Sequence, residues 1–178
     1  MMIIETDRLI LRPWMETDAE SLFKYASDPD VGPIAGWAPH PSVDYSREII
    51  SSVFAAPDVY AVVIKDSGEP VGCCGLMPAD RITNNDSPNN RDAEIGYWIG
   101  KPYWGLGLIP EAVKALINKC REGNDITRLW ICFRNENQNS KRVAEKCGFT
   151  YSHTIYDTTD LLGNIITEHF YSLILKPI

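Results

Sequence analysis

Apolar residues in this chain come in short runs broken by charges, glycines and prolines, and two spacings alternate along it. Arg8-Leu9-Ile10-Leu11-Arg12, bounded by charges and Pro13, predicts a strand. Thr17-Asp18-Ala19-Glu20 predicts a capping box, Thr at the cap and Glu three residues on, opening a helix to about Ser27. Asp28-Pro29 ends it, because the residue before proline is pushed out of helical geometry. Gly32 to Pro41 reads as a loop with exposed Trp37 and His40, and a second helix runs from Pro41-Ser42 to about Phe54, its apolar stripe being Ile49, Ile50, Val53 and Phe54. Val59–Lys65 and Pro70–Met77, joined by Asp66-Ser67-Gly68-Glu69, predict a β-hairpin. The polar, turn-rich segment Arg81 to Asp92 predicts a mobile hairpin loop, and Ala93–Ile99 the next strand, where Gly96 implies a bulge or a close backbone approach. A helix from Pro110 to about Glu122, a strand Arg128–Phe133, and a helix Ser140–Cys147 ended by Gly148 follow. Strands Phe149–Tyr156 and Ile165–Leu175 close the chain. Interleaved strands and helices imply one mixed α/β sheet, and 178 residues without repeats or linkers imply a single domain spanning 1–178.

Composition narrows the function classes. Hydrophobic residues are 44% and charged residues 23%, an ordinary globular balance. The net charge of −7 and the lack of a Lys/Arg run argue against a nucleic-acid binder that works by phosphate neutralisation, and favour cationic partners such as free amines. The five cysteines, with no C-x-x-C spacing, fit neither a disulfide framework nor a zinc site and point to a reducing cytoplasm. No segment has the ~20 apolar residues of a membrane span, and the N-terminus carries no cleavable signal, so a soluble, unprocessed, cytoplasmic protein is expected. His40, His153 and His169 are scattered, so no metal is expected.

The strongest local signal is Trp104-Gly105-Leu106-Gly107-Leu108-Ile109-Pro110-Glu111, two glycines on a strand-to-helix turn. Glycines admit close backbone approach, and free N–H groups at a helix start face anions, so a phosphate or pyrophosphate is the expected ligand. No Lys-Ser/Thr follows as in a Walker loop, and Pro110 occupies the third glycine position of a dinucleotide fingerprint. A plain structural turn and a nucleotide-phosphate site both remain open on this signal alone.

Three further segments join it: the opening Glu5-Thr6-Asp7-Arg8-Leu9-Ile10-Leu11-Arg12-Pro13, Ala93-Glu94-Ile95-Gly96-Tyr97-Trp98, and the pattern N-x-x-S-x-x-V-x-E-K-x-G-F from Asn137 to Phe149. With the glycine loop they resemble the GNAT superfamily of acyl-CoA-dependent N-acetyltransferases, in particular the branch of ribosomal-protein N-terminal acetyltransferases, from about Thr6 to Lys176. The resemblance implies a mostly antiparallel, twisted sheet with flanking helices, splayed between its fourth and fifth strands. It implies acetyl-CoA as cosubstrate, its pantetheine arm paired with the backbone of Tyr97, Trp98 and Ile99. The pyrophosphate would rest on the N–H groups of Gly105, Leu106, Gly107, Leu108 and Ile109, and Asn137 and Ser140 would contact the arm near the sulfur. Pro110 and Ile109 depart from the small or hydroxylated residues common at those positions.

Transfer to a primary amine by direct attack in a ternary complex then needs a base, for which Glu94, acting through water, is the candidate. Backbone N–H groups near Tyr97 or Trp98 are candidates to polarise the carbonyl, and Ser140 to hydrogen-bond the departing sulfur. Structural roles compete: an edge-strand charge for Glu94, a helix cap for Ser140, complementing the helix dipole for Glu111. Lys141 and Arg142 read as a solvated helix face, with the coenzyme A 3′-phosphate as the alternative. The acceptor is a protein N-terminus or a small amine, and the protein a monomer or homodimer. The rival of another class is a catalytically silent acyl-CoA-binding module.

Overall fold

The structure, a computed structural model, describes residues 2–79, 91–123 and 125–175. The expected hairpin loop at Arg81 to Asp92 falls almost wholly outside them. The strands are β1 (Ile4–Glu5), β2 (Leu9–Arg12), β3 (Val59–Ile64), β4 (Pro70–Pro78), β5 (Asp92–Ile99), β6 (Arg128–Arg134), β7 (Thr150–Thr159) and β8 (Ile165–Ile174), and the helices α1 (Ala19–Ala26), α2 (Gly32–Ala35), α3 (Val43–Ser51), α4 (Leu108–Gly123) and α5 (Gln138–Lys146). They form one eight-stranded sheet in the order β1-β2-β3-β4-β5-β6-β8-β7. Every neighbouring pair is antiparallel except β5 and β6. The mixed α/β fold expected from the sequence is the observed one.

Strand alternation sends side chains to two cores. Leu9, Leu11, Tyr60, Val62, Ile95 and Ile99 pack with Leu108, Val113, Leu116 and Ile117 of α4, whereas Ala61, Val63 and Cys73 pack with Trp14, Leu22 and Ile50 on the α1–α3 side. α4 is held by this packing along one apolar face, as its residue spacing demands.

Several local expectations are corrected. Thr17 forms no capping box: a 3-10 turn covers Glu16–Asp18 and the helix starts at Ala19. Asp18 stands before α1, but its carboxylate reaches back to the 3-10 turn, accepting from the Met15 N–H at 2.9 Å while Arg12 grips its two oxygens at 2.6 and 2.9 Å. The 3-10 turn places Thr17 inside a helical turn rather than before one, so its hydroxyl is not at a cap position. α3 starts after Ser42, whose hydroxyl caps it by accepting from the Tyr45 N–H, and stops at Ser51 instead of Phe54, which leaves Val53 exposed. The Gly32 to Pro41 loop contains the single turn α2, and His40 is buried: it bonds Ser46 Oγ at 2.8 Å between the rings of Trp37 and Tyr45. Gly96 makes no bulge, since the β4–β5 register runs through it unbroken. Nor does backbone approach it closely: a Cβ there would meet the end of the Met77 side chain, Cε at 2.6 Å.

Candidate active site

β5 and β6 pair only from Asp92 to Glu94 against Arg128 to Trp130. Beyond Glu94 they separate, and the Tyr97–Ile99 backbone is paired to β4 on one side only. The opening widens into a cleft of about 730 Å³, walled by β5, the turn after it and the start of α4 on one side, and by the end of β6 and the start of α5 on the other. The segment from Pro29 to Ala35 covers one end. Trp104 closes the top of β5 by donating its indole N–H to the Ile99 carbonyl at 2.9 Å, so that carbonyl is already engaged.

The glycine turn is built as the motif requires. Gly105 and Gly107 sit at φ of 76° and 77°, the left-handed region that a side chain strains. α4 begins at Leu108, two residues before the expected start, because Gly107 turns the chain and its carbonyl accepts from Glu111 N–H at 3.3 Å. The N–H groups of the first helical turn therefore have no intrahelical partner, and Pro110 sits where a missing N–H costs little. Gly105, Gly107, Leu108 and Ile109 line the cleft. Leu106 is displaced outward and is 55% exposed.

An interaction invisible to local spacing shapes this turn. The Glu111 carboxylate accepts from Thr6 Oγ1 at 2.6 Å, from the Arg8 N–H at 2.9 Å and from Arg8 Nε at 2.7 Å. Arg8 Nη1 then donates to the Leu106 carbonyl at 3.0 Å. Burial works against the charge of Glu111, but the bonds from Thr6 and Arg8 outweigh it and hold its carboxyl below the usual range. Glu111 thus ties the N-terminal segment to the glycine turn rather than merely facing the helix dipole. On the far side, Glu69 accepts from Lys24 and Tyr25 at 2.7 and 2.8 Å, and Tyr25 lies edge-on to Tyr103 of the turn following β5.

Across the cleft, Asn137 caps α5 by accepting from the Ser140 N–H at 3.0 Å. Ser140 is therefore not the cap, and its hydroxyl is available for other work. It meets the Tyr97 hydroxyl at 2.6 Å, and both residues line the cleft. Burial pushes the Tyr97 phenol well above its ordinary value, against the opposing pull of the Ser140 bond, so Tyr97 stays protonated. Arg142 and Lys146 also line the cleft, whereas Lys141 lies near Glu145 on the outer face.

Glu94 is buried, at 5% exposure, on the opposite sheet face from Tyr97, where it accepts from the Cys132 thiol. It is not among the described residues that wall the cleft. Trp98 shares that face, its ring packed against Trp14 and Trp37. No group of His, Cys, Asp or Glu able to hold a metal occurs among the described residues, none of the five cysteines is in a disulfide, and no described helix is long and apolar enough to cross a membrane.

Residues 8–150 match the acetyltransferase (GNAT) domain family. The chain belongs to the GNAT acetyltransferases. It is 28% identical over 181 residues to the uncharacterized N-acetyltransferase p20 of Bacillus licheniformis, covering 99% of this chain and 98% of that one. It is also 33% identical over 101 residues, 52% of this chain and 54% of the other, to the ribosomal-protein-serine acetyltransferase of Escherichia coli. The microcin C7 self-immunity acetyltransferase MccE, solved with acetyl-CoA and AMP, superposes with a TM-score of 0.76 at 22% identity, covering 95% of this chain and 93% of that one.

In this GNAT chain the residues expected from the sequence divide into two groups. Tyr97, Trp98, Ile99, Gly105, Gly107, Leu108, Ile109, Asn137 and Ser140 converge on one cleft, while Glu94 and Leu106 stand outside its wall. Sequence reading missed the Arg8–Glu111 tie, the Tyr97 hydroxyl as a partner of Ser140, and Arg134, which lines the cleft and pairs with Asp160. The Glu5-Thr6-Asp7-Arg8 motif carried a signal for the first of these, but its partner lies 103 residues away.

Proposed function

We propose that the chain moves an acetyl group from acetyl-CoA to a primary amine by direct attack in a ternary complex, as one catalytic domain acting in the cytoplasm as a monomer or homodimer. The observation that carries this is the opening between β5 and β6, which leads from the Ser140–Tyr97 pair to the glycine turn at the start of α4. The residues present suit the cosubstrate. A Cβ placed on Gly105 would meet no other atom within 4 Å, so the space in front of the turn is open, and the α4 N–H groups would hold the pyrophosphate at Gly105 to Ile109. The backbone of Tyr97 and Trp98 and the Asn137 side chain would hold the arm. When bound, acetyl-CoA supplies the acetyl group activated as a thioester.

Glu94, through water, would take the proton the amine must lose as its nitrogen bonds to the carbonyl carbon. N–H groups near Tyr97 and Trp98 would stabilise the oxyanion. As the carbon–sulfur bond breaks, Tyr97 donates to Ser140 Oγ, which frees the serine hydrogen to point at the sulfur. A phenol raised by burial gives up no proton to a thiolate, so this pair stabilises the leaving group by hydrogen bonding, and solvent supplies its final proton. The ribosomal-protein relative makes a peptide N-terminus one acceptor class to test, beside small amines.

The burial of Glu94 against Cys132 favours a second reading, a cleft that binds acyl-CoA without turnover. A thiol-release assay with acetyl-CoA and a panel of amines and short peptides decides between them. Release that depends on the acceptor supports the enzyme. Thermal stabilisation by acetyl-CoA with no release from any acceptor supports the silent module.

A further inference from the structure

The β6 wall of the cleft ends in Arg134, whose side chain is only 14% exposed. Among the described residues its guanidinium makes one hydrogen bond, from Nη2 to Asp160 Oδ2 at 2.5 Å. Asp160 is itself held in place: its side chain is 4% exposed, and it accepts from the Leu162 and Asn164 N–H groups at 2.8 Å and from Asn164 Nδ2 at 3.0 Å. The β7–β8 turn thus grips one corner of the guanidinium. A guanidinium has five N–H donors; here Nη2, held by Asp160, also lies beside Gly36, the residue that ends α2, and Arg134 lines the cleft. A half-engaged cation in a largely enclosed place calls for oxygen acceptors.

The sheet register shows what stands next to it. Arg134 pairs with Glu168 across the β6–β8 ladder, and Cys132, two residues back on the same face, donates to Glu94. Carboxylates and a guanidinium therefore share one sheet face, Glu94 where the β5–β6 pairing ends and Arg134 with Glu168 at the open end of the split. The step from Cys132 to Arg134 is about 7 Å along the strand. An amine and the carbonyl oxygen on its neighbouring carbon, with a hydrogen bond at each end, span about 8 Å.

We propose that Arg134 is a specificity-determining residue that binds a carbonyl or carboxylate oxygen on the carbon next to the acceptor's amine, while the amine lies toward Glu94. The acceptor class is then α-amino compounds, free amino acids or peptide N-termini, rather than plain alkylamines or polyamines. This rests on the acetyltransferase reading above.

The test compares ethylamine, alanine amide, alanine and an Ala-Ala peptide as ligands of the CoA-saturated protein by calorimetry, and as acceptors in thiol release. Wild type should prefer the oxygen-bearing compounds by about 10- to 100-fold. Arg134→Ala should erase the preference and Arg134→Lys restore part of it, with the KM for acetyl-CoA unchanged. Alanine above alanine amide would identify a free carboxylate as the source, and the peptide above both would identify a chain carbonyl. The proposal is overturned if ethylamine equals the others in wild type, a comparison that needs no variant to fold. Equal loss for every acceptor in Arg134→Ala, or a raised KM for acetyl-CoA, would also overturn it and make Arg134 a strut. Selective binding without thiol release would keep the inference and sink the catalytic reading, so the two failures are separable.

Discussion

On the β5–α4 side of the cleft, what faces a ligand is mainly backbone: the unpaired edge of Tyr97–Ile99 and the N–H groups of the first turn of α4. On the β6 side it is the side chain of Arg134, gripped by Asp160, while Glu168 and the Glu94–Cys132 pair share its sheet face behind the cleft wall. Backbone donors are the same for any sequence that takes the shape, so the first wall needs only glycines and a helix start. Side-chain groups take their meaning from their neighbours, and these come from β5, β6, β8 and the β7–β8 turn. On the proposed function, the first wall would hold a constant part of the reaction, the cosubstrate, and the second a variable part, the acceptor.

The largest test of this division is Glu94→Gln. If the β6–β8 face handles the acceptor's proton, turnover should fall by about 10²–10⁴, recover in part at high pH where the amine is neutral unaided, and leave acetyl-CoA binding intact. Unchanged rates from pH 6 to 9 (about the span of an α-amine's titration) would make Glu94 a structural partner of Cys132. Gly107→Val attacks the other wall. A ligand specific to the native state at 100 times its dissociation constant adds about 2.7 kcal/mol, and this thermal shift with acetyl-CoA should vanish in the variant, whose apo form stays folded. A retained shift would show that the turn does not hold the ligand.

Ser140→Ala and Tyr97→Phe lie between the walls. Each should lower kcat by about tenfold with little change in the KM for acetyl-CoA, because the bond strengthens as charge grows on sulfur. The double variant should cost little more than either alone, the signature of a coupled pair. Additive losses would separate them.

The smallest effect concerns Glu111. Its carboxyl is held below the usual range, so its tie to Thr6 and Arg8 contributes stability that is fully present above about pH 4.5 and lost as pH falls through the folded value. Glu111→Gln should remove that contribution at neutral pH and flatten the acid side of the melting-temperature profile. It should also weaken acetyl-CoA binding a few-fold through the Leu106 carbonyl that Arg8 holds. Parallel acid limbs in the two proteins would show the tie to be inert.

How far the sequence could be read follows the same division. The hairpin of β3 and β4, the αL glycine after α5 and the glycine turn were legible, because each depends on residues within a few positions of one another. The errors arose where a distant partner intervened. The Thr17 capping box does not form, because Asp18 is bound instead by Arg12 from β2; and of the two roles open to Ser140 the cap goes to Asn137, while its hydroxyl meets Tyr97, 43 residues away. His40, polar and flanked by prolines, read as exposed, yet α3 brings Ser46 to satisfy it inside.

The sequence by itself determined the alternation of strands and helices, the family to which the chain belongs and the backbone cradle at the start of α4, because hydrophobic period, proline and glycine act locally on φ and ψ. Only the tertiary structure decided which side chains share the cleft. Arg8 finds Glu111, Tyr97 finds Ser140 and Arg134 finds Asp160 through the order and register of the sheet. That order arises from burying two cores at once, a constraint on the whole chain that no single segment carries.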